Sequence, residues 1–223
     1  MKKPNENESP LREFVFPERL ARFQSVAASR SRTLTFVFDE LQHPHNISAV
    51  IRSADAFGLA ELHFIGSHFA QNKGVTIGAD KWVKIIRHRT PGEAVAQLRE
   101  ANYRIVILEP PSSTREIATP QLSVLELPFE ERLALVFGNE VRGLSDTFRL
   151  AASYSAYIPM LGFVESLNVS VATAICMFCS TFARTTLNRR IETLSSEEQR
   201  VLVEEWLRAD VPGAEEILRR YQP

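Results

Sequence analysis

Cysteine is scarce in this chain. The only two, Cys176 and Cys179, lie inside one apolar run. A disulfide-stapled secreted scaffold is therefore excluded. No apolar stretch reaches the roughly 18 residues that mark a membrane span. The opening MKKPNENESPLREF carries two lysines but no apolar segment behind them, so it does not read as a signal peptide. The formal net charge is −1, with 26 Lys and Arg against 27 Asp and Glu. The strongly basic footprint of many nucleic-acid binders is absent. No GxGxxG occurs, which removes the dinucleotide fingerprint. GNEVRGLS (138–145) has the outline of a Walker A loop. Leu144 stands where the phosphate-binding lysine belongs, so nucleotide-triphosphate binding is disfavoured. There is no internal repeat and no low-complexity tract. A soluble, cytoplasmic protein is the expectation.

What is present is an apolar content of 44%, enough for one main domain with extensions. Residues 1–10 are polar, with two prolines, and are expected to be disordered. A helix is predicted over 17–30, where Leu20, Phe23, Val26 and Ala27 share a face. TLTFVFDE (33–40) reads as a buried strand. NISAVIRSADAFG (46–58) reads as a helix capped by Asn46 and stopped by Gly58. Strands are predicted at 61–66, 82–88, 104–109, 133–138 and 154–160. Helices are predicted at 91–103, near 144–153 and from about 168 to 186, with two short ones in the tail around Pro212-Gly213. Strands alternating with helices argue an α/β fold with a mostly parallel sheet flanked by helices.

Ligands of parallel α/β sheets bind beyond the C-terminal strand ends. Three such ends carry unusual polar residues: Asp39–Arg52, Gly138–Ser145 and Ile158–Ser170. Taken singly, each has a bland reading. Asn46 suits a helix cap, Arg52 a solvated surface, and Glu140 an ordinary turn. In LGFVESLNVS (161–170), Ser166 and Asn168 can cap the long helix behind them. The same donors can also meet a carboxylate or the acceptors of a heterocycle. CMFC (176–179) has redox-motif spacing but lies mid-helix, away from the helix N-terminus that activates a thiol, so it reads as core. His43-Pro-His45 has no companion ligands and reads as a loop, so no metal site is expected.

In order, HPHNISAVIRSADAFG (43–58), LVFGNEVRGLS (135–145) and IPMLGFVESLNVSVATA (158–174) resemble the three motifs of the SpoU branch of the SPOUT methyltransferases. The likeness spans roughly residues 33–185, and the flanks are similar to the TrmH subgroup. The resemblance implies methyl transfer from S-adenosyl-L-methionine to a ribose 2′-oxygen in RNA. It also implies a SPOUT fold with a deep C-terminal trefoil knot, a homodimer, and a catalytic set of Asn46, Arg52, Glu140, Ser166 and Asn168. Glu109, Pro110, Gly138, Asn139, Ile158, Met160, Ser166, Leu167 and Asn168 are implied as cofactor contacts. The implied substrate is tRNA, at the D-loop guanosine of position 18. A ribosomal-RNA enzyme, a wobble-position enzyme and a non-catalytic RNA-binding protein of the same fold are the alternatives. Arg52 is implied as the group that takes the hydroxyl proton. A guanidinium stays protonated, so stabilising alkoxide charge while a phosphate accepts the proton is the chemically easier role.

The implied organisation is a helical leader (1–32) contacting RNA, a catalytic domain (33–190) and a helical tail (191–223). The charge distribution suits RNA contacts locally. Residues 1–33 hold seven Lys/Arg against four Glu, and DKWVKIIRHR (80–89) holds four against one Asp. Arg184, Arg189 and Arg190 form a third cluster, while the tail has four Arg against eight Asp/Glu.

Overall fold

The computed structural model describes residues 9–66, 78, 81–111, 119–187 and 192–221. The expected disorder of the leader falls almost wholly on residues outside this set. The chain forms two compact units, one of residues 31–192 and one of residues 1–30 with 193–223.

The larger unit is built on seven strands: β1 (Leu34–Asp39), β2 (Glu61–Ile65), β3 (Lys84–His88), β4 (Arg104–Leu108), β5 (Gln121–Ser123), β6 (Leu133–Phe137) and β7 (Tyr154–Tyr157). Their order is β3-β2-β1-β6-β4-β7-β5, and every pairing is parallel. β1 and β6 are buried at every position. That is why they read as continuous apolar runs rather than alternating ones. The α/β expectation holds. The three-residue strand β5 has no counterpart in the sequence reading.

Helices cover both faces. α2 (Pro44–Ala56) and α5 (Val169–Thr185) belong to one face, α3 (Pro91–Glu100) and α4 (Asp146–Ala151) to the other. Under α2 and α5 runs an aromatic row: Phe64 stacks on Phe38 at 4.9 Å, Phe38 on Phe137 at 5.7 Å, and Phe137 on Phe36 at 5.8 Å. Cys176 and Cys179 are buried in this core, and burial pushes both thiols up. They pack as part of the apolar core. The opposite face buries Val37, Ile105, Val136 and Leu98. It also encloses a stacked pair, His63 and His88, with Nδ1 of the first 2.9 Å from Nε2 of the second.

The smaller unit is helical: α1 (Pro17–Ser29), α6 (Ser196–Asp210) and α7 (Ala214–Arg220). Phe23 meets Trp206 edge-on at 5.9 Å, and the guanidinium of Arg30 lies 5.4 Å from the Trp206 ring centre. Arg19 holds Asp210 with two hydrogen bonds of 2.8 and 3.0 Å. Ser195 and Glu198 form a capping box that starts α6. Among the described residues, no helix is long and apolar enough to cross a membrane.

Candidate active site

The turn after β6 is tight, and its sequence explains why. A Cβ on Gly138 would lie 2.5 Å from Leu144 N and 2.7 Å from Gly143 O, so only glycine fits. Asn139 is buried and its whole side chain holds the turn. Its Oδ1 accepts from the N–H of Val141 at 2.9 Å and of Arg142 at 3.0 Å, and its Nδ2 donates to Glu40 O at 2.8 Å. Gly143 takes φ +72°, which glycine adopts without a Cβ penalty. The next residue after Asn139, Glu140, is thereby projected outward at the rim.

α2 begins earlier than its sequence suggests. Asn46 is not the cap. The helix starts at Pro44, with His43 in the cap position and no side-chain cap bond. Proline suits the first helical position because its φ is already helical and its missing N–H is not needed there. Asn46 thus sits inside the first turn with its amide free for other work. It donates from Nδ2 to Glu140 Oε1 at 3.1 Å, and its Oδ1 accepts from Asn168 Nδ2 at 3.1 Å.

Asn168 caps α5. Its Oδ1 accepts the N–H of Ser170 at 2.9 Å and the hydroxyl of Ser170 at 2.6 Å. These donors fix which end of Asn168 is oxygen. Its NH2 must then face Asn46, and the NH2 of Asn46 must face Glu140. The three rim segments are therefore joined by side-chain hydrogen bonds of one polarity. Ser166, the other expected cap, makes no hydrogen bond among the described residues.

A cavity of about 480 Å³ opens beside this array. Gly138, Asn139 and Glu140 line it from the turn after β6, and Glu109 and Pro110 from the end of β4. Ile158, Met160, Glu165, Ser166, Leu167 and Asn168 close it from the segment between β7 and α5. Leu108, Phe137, Leu144 and Ala172 also line it, as apolar wall. Neither Asn46 nor Arg52 lines it. Asn46 is one hydrogen bond away, through Glu140 and Asn168.

Residues 33–178 match the SpoU rRNA methylase family. This chain belongs to that family. It is 31% identical over 194 residues to the tRNA (guanosine(18)-2′-O)-methyltransferase of Escherichia coli K12, covering 84% of this chain and 82% of the relative. The crystal structure of the TrmH/SpoU tRNA modifying enzyme of A. aeolicus superposes with a TM-score of 0.74 at 29% identity, covering 87% of this chain and 98% of that one. The SpoU methyltransferase AviRb of Streptomyces viridochromogenes, solved with AdoMet, gives a TM-score of 0.56 at 29% identity, over 72% of this chain and 64% of that one.

In this SpoU-family chain Arg52 stands apart. It follows Asn46 by six residues on α2, about 9 Å along the helix axis. It is exposed and makes no hydrogen bond or ion pair among the described residues. It shares the outer flank of α2 with His45, Ala49 and Ala56, all exposed. α5 packs along α2 and leaves a stripe of Val171, Phe178 and Phe182 open at 48%, 58% and 43% exposure. Leu161 and Phe163, just before α5, are fully exposed. Two further residues escaped the sequence reading as site groups. Glu165 lines the cavity, and Arg149 on α4 forms an ion pair with Glu109.

Proposed function

We propose that this protein transfers a methyl group from S-adenosyl-L-methionine to the ribose 2′-oxygen of the D-loop guanosine at tRNA position 18. The observation that carries the reading is the hydrogen-bonded chain Asn168–Asn46–Glu140 beside the cavity. It draws the three family motifs to one rim. The tRNA class is supported by the relatives from Escherichia coli and A. aeolicus, of whose lengths this chain covers 82% and 98%.

The cavity suits the cofactor. Its volume of about 480 Å³ is in the range of small-molecule sites, roughly 300–1,000 Å³. Its wall is apolar with a few carboxylates, and Gly138 leaves backbone where a Cβ would stand. Gly138, Ile158, Met160, Leu167 and the Glu109-Pro110 edge would hold it. When bound, S-adenosyl-L-methionine supplies a methyl already activated on a sulfonium.

The protein's own task is to prepare the hydroxyl, a poor nucleophile at neutral pH. Asn46 engages Glu140 through Oε1, and Oε2 has no partner among the described residues. That oxygen is the acceptor this side of the cavity offers to the hydroxyl proton. Arg52 stays protonated and stabilises the charge developing on the ribose oxygen.

Arg52 reaches a cavity through a second copy. The exposed apolar residues of α5 and of the Leu161–Phe163 segment, with the outer flank of α2, are the surface we assign to an interface, since exposed large apolar side chains of this kind mark one. A homodimer covering it sets Arg52 of one protomer at the cavity mouth of the other. The family also carries a C-terminal trefoil knot. The placing of β6 between β1 and β4 supports the same path here. RNA contacts fall to Lys81, Lys84, Arg87 and Arg89, all exposed on β3 or next to it in sequence, and to the basic leader.

The test is incubation with methyl-labelled cofactor and unmodified tRNA, followed by mapping of the label. The expected product is 2′-O-methylguanosine in the D-loop. Label on a base, or on ribosomal RNA alone, overturns the reading.

A further inference from the structure

The rim changes character from strand to strand. The turn after β6, next to β1, presents Glu140 with Asn46 bonded to it. β4 follows in the sheet and presents Glu109. β7 comes next, and the chain beyond it presents Ile158 and Met160. Across the sheet the cavity thus meets the Asn46–Glu140 pair, then Glu109, then the apolar Ile158 and Met160, with Glu165 and Ser166 further along that last segment.

Glu109 is held in an unusual way for a rim residue. Its backbone N–H continues the β4–β7 ladder, donating to Ala156 O at 3.0 Å. Its Oε1 is taken by Nη1 of Arg149. Its side chain is only 16% exposed, and Oε2 has no partner among the described residues. Arg149 is itself placed by rigid elements. It lies in the last turn of α4, next to Phe148, which is fully buried. The start of that helix is tied to the sheet, where Ser145 N–H donates to Asp39 Oδ2 at 2.9 Å. One oxygen of Glu109 is thus clamped so that the other is left for a ligand.

A half-free carboxylate in this position has a specific use. Vicinal ribose hydroxyls are two donors that a single carboxylate matches, as acidic residues do in other nucleoside sites. Neighbouring strands are about 4.8 Å apart. A nucleoside whose reacting end lies over β6 therefore brings its sugar over β4 and its base toward the apolar wall beyond β7. We infer that Glu109 binds the ribose hydroxyls of the cofactor and that Arg149 is the positioning residue that aims it. The inference rests on the cofactor reading above.

The test is calorimetric titration of the full chain with S-adenosylhomocysteine and with its 2′-deoxy and 3′-deoxy analogues. The wild-type protein is expected to prefer the ribose form by about tenfold, the effect of about 1.4 kcal/mol. Glu109→Ala binds all three alike, and Glu109→Gln keeps a reduced preference. Arg149→Ala loses most of the preference, and Arg149→Lys recovers part of it. Melting temperatures measured alongside identify any variant that has lost its fold, and the isosteric Glu109→Gln then decides. An undiminished preference in the Glu109 variants overturns the assignment while leaving the cofactor reading intact. Absence of any binding to the wild-type protein overturns both.

Discussion

Asn46 donates to Glu140 across two chain segments at 3.1 Å, and this bond reaches the cavity without Asn46 lining it. The two roles can therefore be separated. Asn46→Ala is expected to lower methyl transfer by about 10²–10³-fold, the cost of losing one oriented donor. Affinity for S-adenosylhomocysteine stays within about threefold, or about 0.7 kcal/mol. Single-turnover rates and calorimetry check the two halves. A parallel loss of affinity would place Asn46 in the binding wall instead.

Gly138→Ala forces a Cβ to within 2.5 Å of Leu144 N, where backbone has to move. The expected cost is about 1–3 kcal/mol of stability, with the turn that carries Glu140 displaced. Urea unfolding measures the first effect, and loss of S-adenosylhomocysteine binding reports the second.

Arg52 gives a subunit-mixing prediction. Arg52→Ala and Glu140→Ala are each expected to be inactive alone. Mixed and reassociated, the two variants regain activity, because one site of the mixed dimer has Glu140 in its cavity and Arg52 from the other protomer. Mixtures as inactive as the parents would place both residues at work within one protomer.

Phe178 is 58% exposed and faces Phe182 with ring centres 6.3 Å apart. Phe178→Asp is expected to leave the fold intact and to convert a dimer into monomers. Sedimentation velocity distinguishes the two species. A wild-type protein that sediments as a monomer removes the interface altogether.

The buried His63–His88 pair predicts a pH dependence. Burial, then the charge of His63, holds His88 below the ordinary histidine value of 6.5. As pH falls below 6.5, the unfolded chain takes up the proton before the folded one does. Stability is therefore present above that value and falls as pH drops toward the depressed folded one. Urea midpoints measured from about pH 7 to pH 5 should decline, and the slope should flatten in His88→Gln.

The central strands were legible because burial on both faces leaves an unbroken apolar record, as in LALVF of β6. β5 left no such record. It has three residues, only one of them buried. Asn46 was misplaced because asparagine favours caps, while Pro44 had already set the helix start. The difference has a functional consequence, since a capping Asn46 would turn its oxygen to its own helix rather than to the Nδ2 of Asn168. Glu109 could be nominated only through the family resemblance. Arg149 could not, because the ion pair joins α4 to β4 with no local pattern to mark it. The position of Arg52 away from the cavity is likewise a matter of helix phase and of what covers the outside of α2.

The pairing of Arg19 with Asp210 spans 191 residues of sequence. On the ribosome, α1 is therefore made long before its partner helix exists. Phe23 has no Trp206 to meet until α6 has left the exit tunnel. Until then α1 is an unpaired amphipathic segment, and removing either helix orphans the other.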